Sequence, residues 1–170
     1  MIPITALYVV LIVTFKLLLL FQLKHFIADY PLQRPWMLGK FLDKGWVLPL
    51  AAHCGVHALF TIAIGLFCGW VPISVILVMA AFDFVIHFTM DRIKASKRWL
   101  GRFKPLNGME YVAMTAAAQG NPIGAPYPID EAKARLRSNR WFWHSIGIDQ
   151  MVHHLTHYAI ILVYLLFLLP

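Results

Sequence analysis

Apolar residues run along this chain in four long stretches, at roughly 4–28, 47–70, 71–92 and 148–169, and polar residues spaced four apart punctuate each of them. A helix needs about 20 predominantly apolar residues to cross a bilayer, so every stretch has the length of a span. The pattern predicts an all-α, polytopic membrane protein. Its expected form is a four-transmembrane-helix bundle, a single membrane domain over 1–170, with a long cytoplasmic loop at about 94–147 between helices three and four. The first stretch has neither a basic start nor a small-residue cleavage site, so it reads as a span and not as a cleaved signal peptide. Lys16, near its middle, reads as a snorkelling or interface lysine, with an ion-path residue as the alternative. The uncharged Cys68-Gly-Trp-Val-Pro72 is a tight turn that makes a hairpin of the second and third stretches.

The long loop has structure of its own to be expected, because loops of that length are rarely structureless. Lys94 to Lys104 mixes bases with aromatics, which suits an interfacial segment on anionic lipid. Gln119 to Pro128 is turn-rich and irregular. Asp130 to Arg140 reads as a short charged helix capped by Asp130. Trp141-Phe-Trp-His144 reads as an aromatic loop segment, with His144 an interface anchor. Glu110 is either a solvated loop charge or an acid–base group overhanging a site.

Composition agrees with the pattern. Of 170 residues 60% are hydrophobic and 14% charged, against about 45–50% and about 25% in soluble domains. This excludes a disordered chain and a nucleic-acid-binding domain. The net charge of +7 is segregated: twelve of the fifteen Lys and Arg lie in the first and third loops, from Arg34, Lys40 and Lys44 to Arg140. Lys24 and Arg92 fall at the same membrane edge. The positive-inside rule therefore places both loops in the cytoplasm and both termini outside, in a bacterial inner membrane. The two cysteines, Cys54 and Cys68, are about 21 Å apart along one helix and form no bridge within it.

The polar residues inside the spans carry the candidate chemistry. Seven of the eight histidines and four of the six aspartates lie in the spans or at their edges. They are His25-xxx-Asp29, His53-xxx-His57, Asp83-xxx-His87-xxx-Asp91 and Asp149-xxx-His153-His154-xx-His157. A step of four returns to nearly the same helix face. With the spans alternating in direction, His25, His53, His87 and His153 reach one depth, roughly 6–9 Å below the cytoplasmic surface. Asp29, Asp91 and Asp149 lie a turn shallower; His57, Asp83 and His157 lie a turn deeper.

Ionisable groups in hydrocarbon must face the bundle interior and find partners. Asp and His together are ligands for zinc, manganese or iron, and bundles build such sites from facing side chains. The expected metal ligands are His25, Asp29, His53, His57, Asp83, His87, Asp91, Asp149, His153 and His157. They hold one or two divalent ions, zinc first, with manganese or iron as alternatives. A metal-free proton relay or Asp–His network is the competing reading. His154, about 100° around the helix from His153, reads as an orienting or lipid-interface residue.

Leu23-Lys-His25-Phe-Ile-Ala-Asp29-Tyr-Pro-Leu-Gln33, the His53-containing span, Asp83-xxx-His87-xxx-Asp91 and Asp149-Gln150-xx-His153 together resemble a family of small bacterial and phage membrane proteins catalogued as domain of unknown function 3307. The resemblance covers most of the chain outside the long loop. It supports these positions as a set and implies no particular reaction. A more distant likeness to His-rich inner-membrane metal-dependent hydrolases is analogy alone.

Three functions compete. The first is an intramembrane metal-dependent hydrolase acting on a lipid or lipid-linked phosphoester at the cytoplasmic leaflet. In it Asp29, Asp91 or Asp149 serves as general base, and Arg34, Arg92 and Lys94 hold an anionic headgroup. Membrane lipids or another amphiphile are the partners, and nucleic acid is not. The second is a non-enzymatic metal-binding membrane protein: a structural metal, a sensor or a phage effector. The third is a di-iron oxidative membrane enzyme, suggested by His53-xxx-His57 and His153-His154-xx-His157 and opposed by the many aspartates.

Overall fold

A computed structural model describes residues 4–121 and 127–168. Every regular element among them is helical: α1 (Ile4–Asp29), α2 (Val47–Cys68), α3 (Ile73–Ala95), α4 (Gly108–Ala118) and α5 (Ile129–Leu166), with 3₁₀ turns at Pro35–Phe41 and Leu100–Arg102. The middle of the turn-rich 119–128 stretch, residues 122–126, and the last residue of the fourth expected span, Leu169, lie outside the described residues.

The chain divides into two units. The first runs to Arg92 and resumes at Met151; the second is Ile93–Gln150. α1, α2 and α3 are long and apolar enough to cross a membrane. Their packing is that of lipid-facing helices, since only 11% of the apolar window of α1 is buried. Leu7, Leu11, Phe15 and Leu19 are among its exposed side chains. Hydrocarbon exposed on this scale is stable only in an apolar solvent.

Within the first unit each helix buries one narrow stripe. On α1 this is Leu17, Phe21, Lys24, His25 and Ala28. On α2 it is Leu50, His53, Cys54, His57, Thr61, Ile64, Gly65 and Cys68. One end of the stripes forms a dry core of Leu17, Phe21, Ile64, Cys68, Val71, Ile76, Ile160, Ile161 and Tyr164. Gly65 permits the close approach there: a Cβ at that position would lie 2.7 Å from the Tyr164 hydroxyl and 2.8 Å from Ile76. α2 ends at Gly69, whose φ of +75° is the left-handed conformation glycine adopts without strain. Pro72 precedes α3, its carbonyl accepting the Ile76 N–H at 3.0 Å. Cys54 and Cys68 are both free thiols.

In the second unit, α4 opens with a capping box. The Glu110 amide donates to Asn107 Oδ1, and the Asn107 amide donates to Glu110 Oε2, each at 2.9 Å. Glu110 is thus neither a loop charge nor an overhanging acid; it secures a helix start. Met114, Ala117 and Ala132 form the small core of this unit, with Leu106, Tyr127 and Leu136 against it.

α5 departs from the expected layout. The short charged helix, the aromatic segment and the fourth apolar stretch are one continuous helix from Ile129 to Leu166. Asp130 lies inside its first turn, where its charge favours the helix dipole, and Pro128 O accepts the Ala132 amide at 3.0 Å.

Candidate metal centre

The other end of the buried stripes in the first unit is polar. Lys24, His25, His53, His57, Asp83, His87, Asp91, His153 and His157 are all buried. His87 is central. Its ring lies 4.0 Å from that of His57 and 4.1 Å from that of His153, and the last pair is parallel to within 5°. His25 stands across from them, 5.4–5.7 Å from the rings of His57, His153 and His157.

The carboxylates divide by partner. Asp83 accepts from the Lys24 ammonium and the Thr61 hydroxyl, each at 2.6 Å, and its Oδ1 lies 3.2 Å from His87 Nδ1. Lys24 Nζ also lies 3.0 Å from His157 Nε2. Asp91 accepts from the Lys40 ammonium at 2.7 Å and faces His53 Nε2 at 3.2 Å; His153 Nε2 is 3.9 Å away. Asp29 is held by imidazoles: His57 at 3.1 Å, His25 at 3.2 Å and His53 at 3.4 Å. It is also the most open of the three carboxylates, with a side chain 21% exposed against 0% for Asp83 and 3% for Asp91.

Within the first unit, three groups bring possible ligand atoms within 4.8 Å of one another: His25, His57 and His87; Asp29, His53 and His57; Asp83, His87 and His157. Nitrogen ligands at about 2.0–2.1 Å around a tetrahedral ion stand about 3.4 Å apart. Side-chain rotations of about 1 Å therefore separate these groups from coordination geometry. The third group is the least suited, because the Lys24 ammonium already occupies a cation's place between Asp83 and His157. The first two share His57.

The hydrogen-bond pattern of His87 leaves one ring nitrogen available to an ion. Its Nδ1 stands 3.0 Å from the main-chain carbonyl of Asp83. A carbonyl only accepts, so Nδ1 carries a proton, and the neutral ring has its lone pair on Nε2. That Nε2 is buried with no hydrogen-bond partner among the described residues. A metal-bound histidine characteristically has its second nitrogen donating to a carbonyl or carboxylate. Nδ1 of His53, His57 and His157 and both ring nitrogens of His153 are likewise buried without a hydrogen-bond partner among the described residues. An orphaned buried polar atom costs about 1–3 kcal/mol, and a bound ion is one way to satisfy such nitrogens.

Asp149 belongs to the second unit, where it accepts from Lys94 at 2.6 Å and from the Gln150 amide at 3.1 Å. Of the residues expected to hold a headgroup, Arg34 is exposed. Arg92 is committed to the protein: it stacks 3.9 Å over Trp46 and donates to the carbonyls of Lys40 and Leu42. Lys94 is engaged by Asp149. His154 is half-buried, 5.5 Å from the His25 ring and stacked on Tyr158. His144 is exposed in the second unit, edge-on to Trp141.

Lys24, Lys40 and Thr61 are site residues that the sequence reading did not place there. Two of them had a signal. Lys24 adjoins His25 on the Phe21–Ala28 face, and Thr61 continues the His53, His57 stripe by one more step of four. Lys40 comes from the turn Pro35–Phe41 and had none. No family model, curated protein or solved structure matches this chain.

Proposed function

We propose that this membrane protein is an intramembrane metal-dependent hydrolase acting on a lipid or lipid-linked phosphoester at the cytoplasmic leaflet. The observation that carries the reading is His87, its Nδ1 fixed by the Asp83 carbonyl and its buried Nε2 lone pair left over beside His25 and His57. His25, His57 and His87 are the proposed ligands of a divalent ion, zinc by their nitrogen-rich chemistry. Such an ion supplies a water acidified toward neutrality and a Lewis acid for a phosphoryl oxygen. Asp29 is the proposed general base, because it touches three of the histidines and is the carboxylate open at the edge. Asp91 and Asp83 serve through their lysine pairs, holding His53 and His87 in place.

The topology proposed with it has four spans, the last in the C-terminal part of α5, in a bacterial inner membrane. Both termini are outside and the basic segments cytoplasmic. Asp149, His153, His154 and His157 lower the hydropathy of that last span, but its buried residues face the same interior as those of α1, α2 and α3. Reporter fusions at Pro170 should be active only outside the cytoplasm; cytoplasmic activity there overturns this arrangement.

A structural metal is the second reading, favoured by the complete burial of His57 and His87. One experiment separates them. Full-length protein purified in mild detergent should contain stoichiometric metal and release phosphate from a lipid phosphoester panel, with both lost on chelation and restored by zinc. Stoichiometric metal without turnover selects the structural reading. Protein that is metal-free, and stays inert when metal is added, overturns both.

A further inference from the structure

The second unit holds a groove of about 880 Å³ that the metal chemistry does not use. Its walls are α4 and the first half of α5. Lys133, Arg137, Arg140 and His144 line it at steps of four, three and four, one face of one helix. Tyr111 and Trp143 are exposed along it, and no acidic residue lines it. Lys133, Arg137 and Arg140 have no hydrogen-bond or ion-pair partner among the described residues, whereas neighbouring Arg135 is paired with Glu131 at 3.4 Å. Like charges one turn apart on a helix are mutually destabilising. Three of them facing a concavity with no counter-charge are an arrangement that an anion would relieve.

We infer that this groove binds a phosphate-bearing headgroup, with Arg137 and Arg140 gripping its oxygens and Lys133 adding charge. Guanidinium groups match phosphate oxygens two at a time, and two arginines one turn apart present that fork from adjacent positions. Arg137 also lines a second groove of about 530 Å³ with Arg102, Phe103 and Trp141, so cationic surface continues around the helix. Leu106 and Leu136 give the first groove an apolar floor, and its exposed Trp and Tyr are the residues that settle at headgroup level. The same phosphate chemistry is carried by a membrane lipid or by a free phosphate. The inference is independent of the metal centre and stands or falls without it.

The test is calorimetric titration of the full-length protein in neutral detergent with short-chain phosphatidic acid, short-chain phosphatidylcholine and inorganic phosphate. Saturable binding of phosphatidic acid with none of phosphatidylcholine supports a lipid source. Binding of inorganic phosphate alone supports a soluble one. The Lys133→Gln/Arg137→Gln/Arg140→Gln chain should bind about 100-fold more weakly, about fivefold for each cation lost near an anionic headgroup. Arg135→Gln, which removes a cation outside the groove, should bind as the unaltered protein does. Should the triple variant fail to fold, Arg137→Gln alone should still weaken binding about fivefold. The inference is overturned when neither phosphatidic acid nor inorganic phosphate saturates, or when the glutamine variants bind undiminished.

Discussion

Replacing His87 by alanine is expected to strip the protein of its metal and of any hydrolytic activity. His87 is shared by two of the candidate ligand groups, its ring is stacked on or adjacent to those of His57 and His153, and it is oriented by a main-chain carbonyl. Loss of a group that merely orients a ligand weakens metal binding about 10–100-fold, so loss of the ligand itself should exceed about 100-fold. Elemental analysis after dialysis against a weak chelator reads this directly. His144→Ala is the matched control, since His144 is exposed in the other unit and should leave metal content unchanged. A His87→Ala protein that retains full metal would remove the centre from this position.

The second large effect is on stability. Lys24→Met should destabilise the bundle by about 3–5 kcal/mol, because it leaves the Asp83 carboxylate buried and without its counter-ion. Lys24 and Asp83 are among the most deeply buried residues of the first unit, and their ammonium–carboxylate contact is 2.6 Å. The double variant Lys24→Met/Asp83→Asn removes both charges and should recover much of that loss, since replacing an ion pair whole is far milder than breaking it. Lys16→Met, on the same helix but exposed, should change little. Denaturation in mixed detergent micelles measures all three. Equal effects for Lys16→Met and Lys24→Met would show that the buried pair contributes nothing special.

The histidine and aspartate stripes were legible in the sequence because a step of four marks one helix face, and a face of ionisable residues in an apolar helix has nowhere to point but inward. The convergence of His25, His53, His57, Asp83, His87, Asp91, His153 and His157 follows from that periodicity and from helices of alternating direction. The buried lysines were hidden for the opposite reason. Counting positive charge treats every lysine as solvated, and the pairing of Lys24 with Asp83, 59 residues away, is a tertiary event. Lys40 reaches Asp91 from a turn whose course no periodicity specifies. The joining of Asp130–Arg140, the aromatic segment and the last apolar stretch into α5 was hidden by composition. Hydropathy changes abruptly there, but no proline intervenes, and the one glycine, Gly147, costs a helix only about 1 kcal/mol.

The unequal pairing of carboxylates and lysines has an electrostatic consequence. Asp29, Asp83 and Asp91 bring three negative charges to the polar layer of the first unit, while Lys24 and Lys40 bring two positive ones. With every imidazole neutral, a state that ligation requires of His25, His57 and His87, the layer carries one excess negative charge. A monovalent cation would neutralise it; a divalent ion would overshoot to one positive. In a medium where uncompensated charge is costly, that surplus is a standing demand for an anion, met by hydroxide or by a phosphoester oxygen. Divalent ion and anion would then bind with positive cooperativity, each raising the affinity of the other by the same factor.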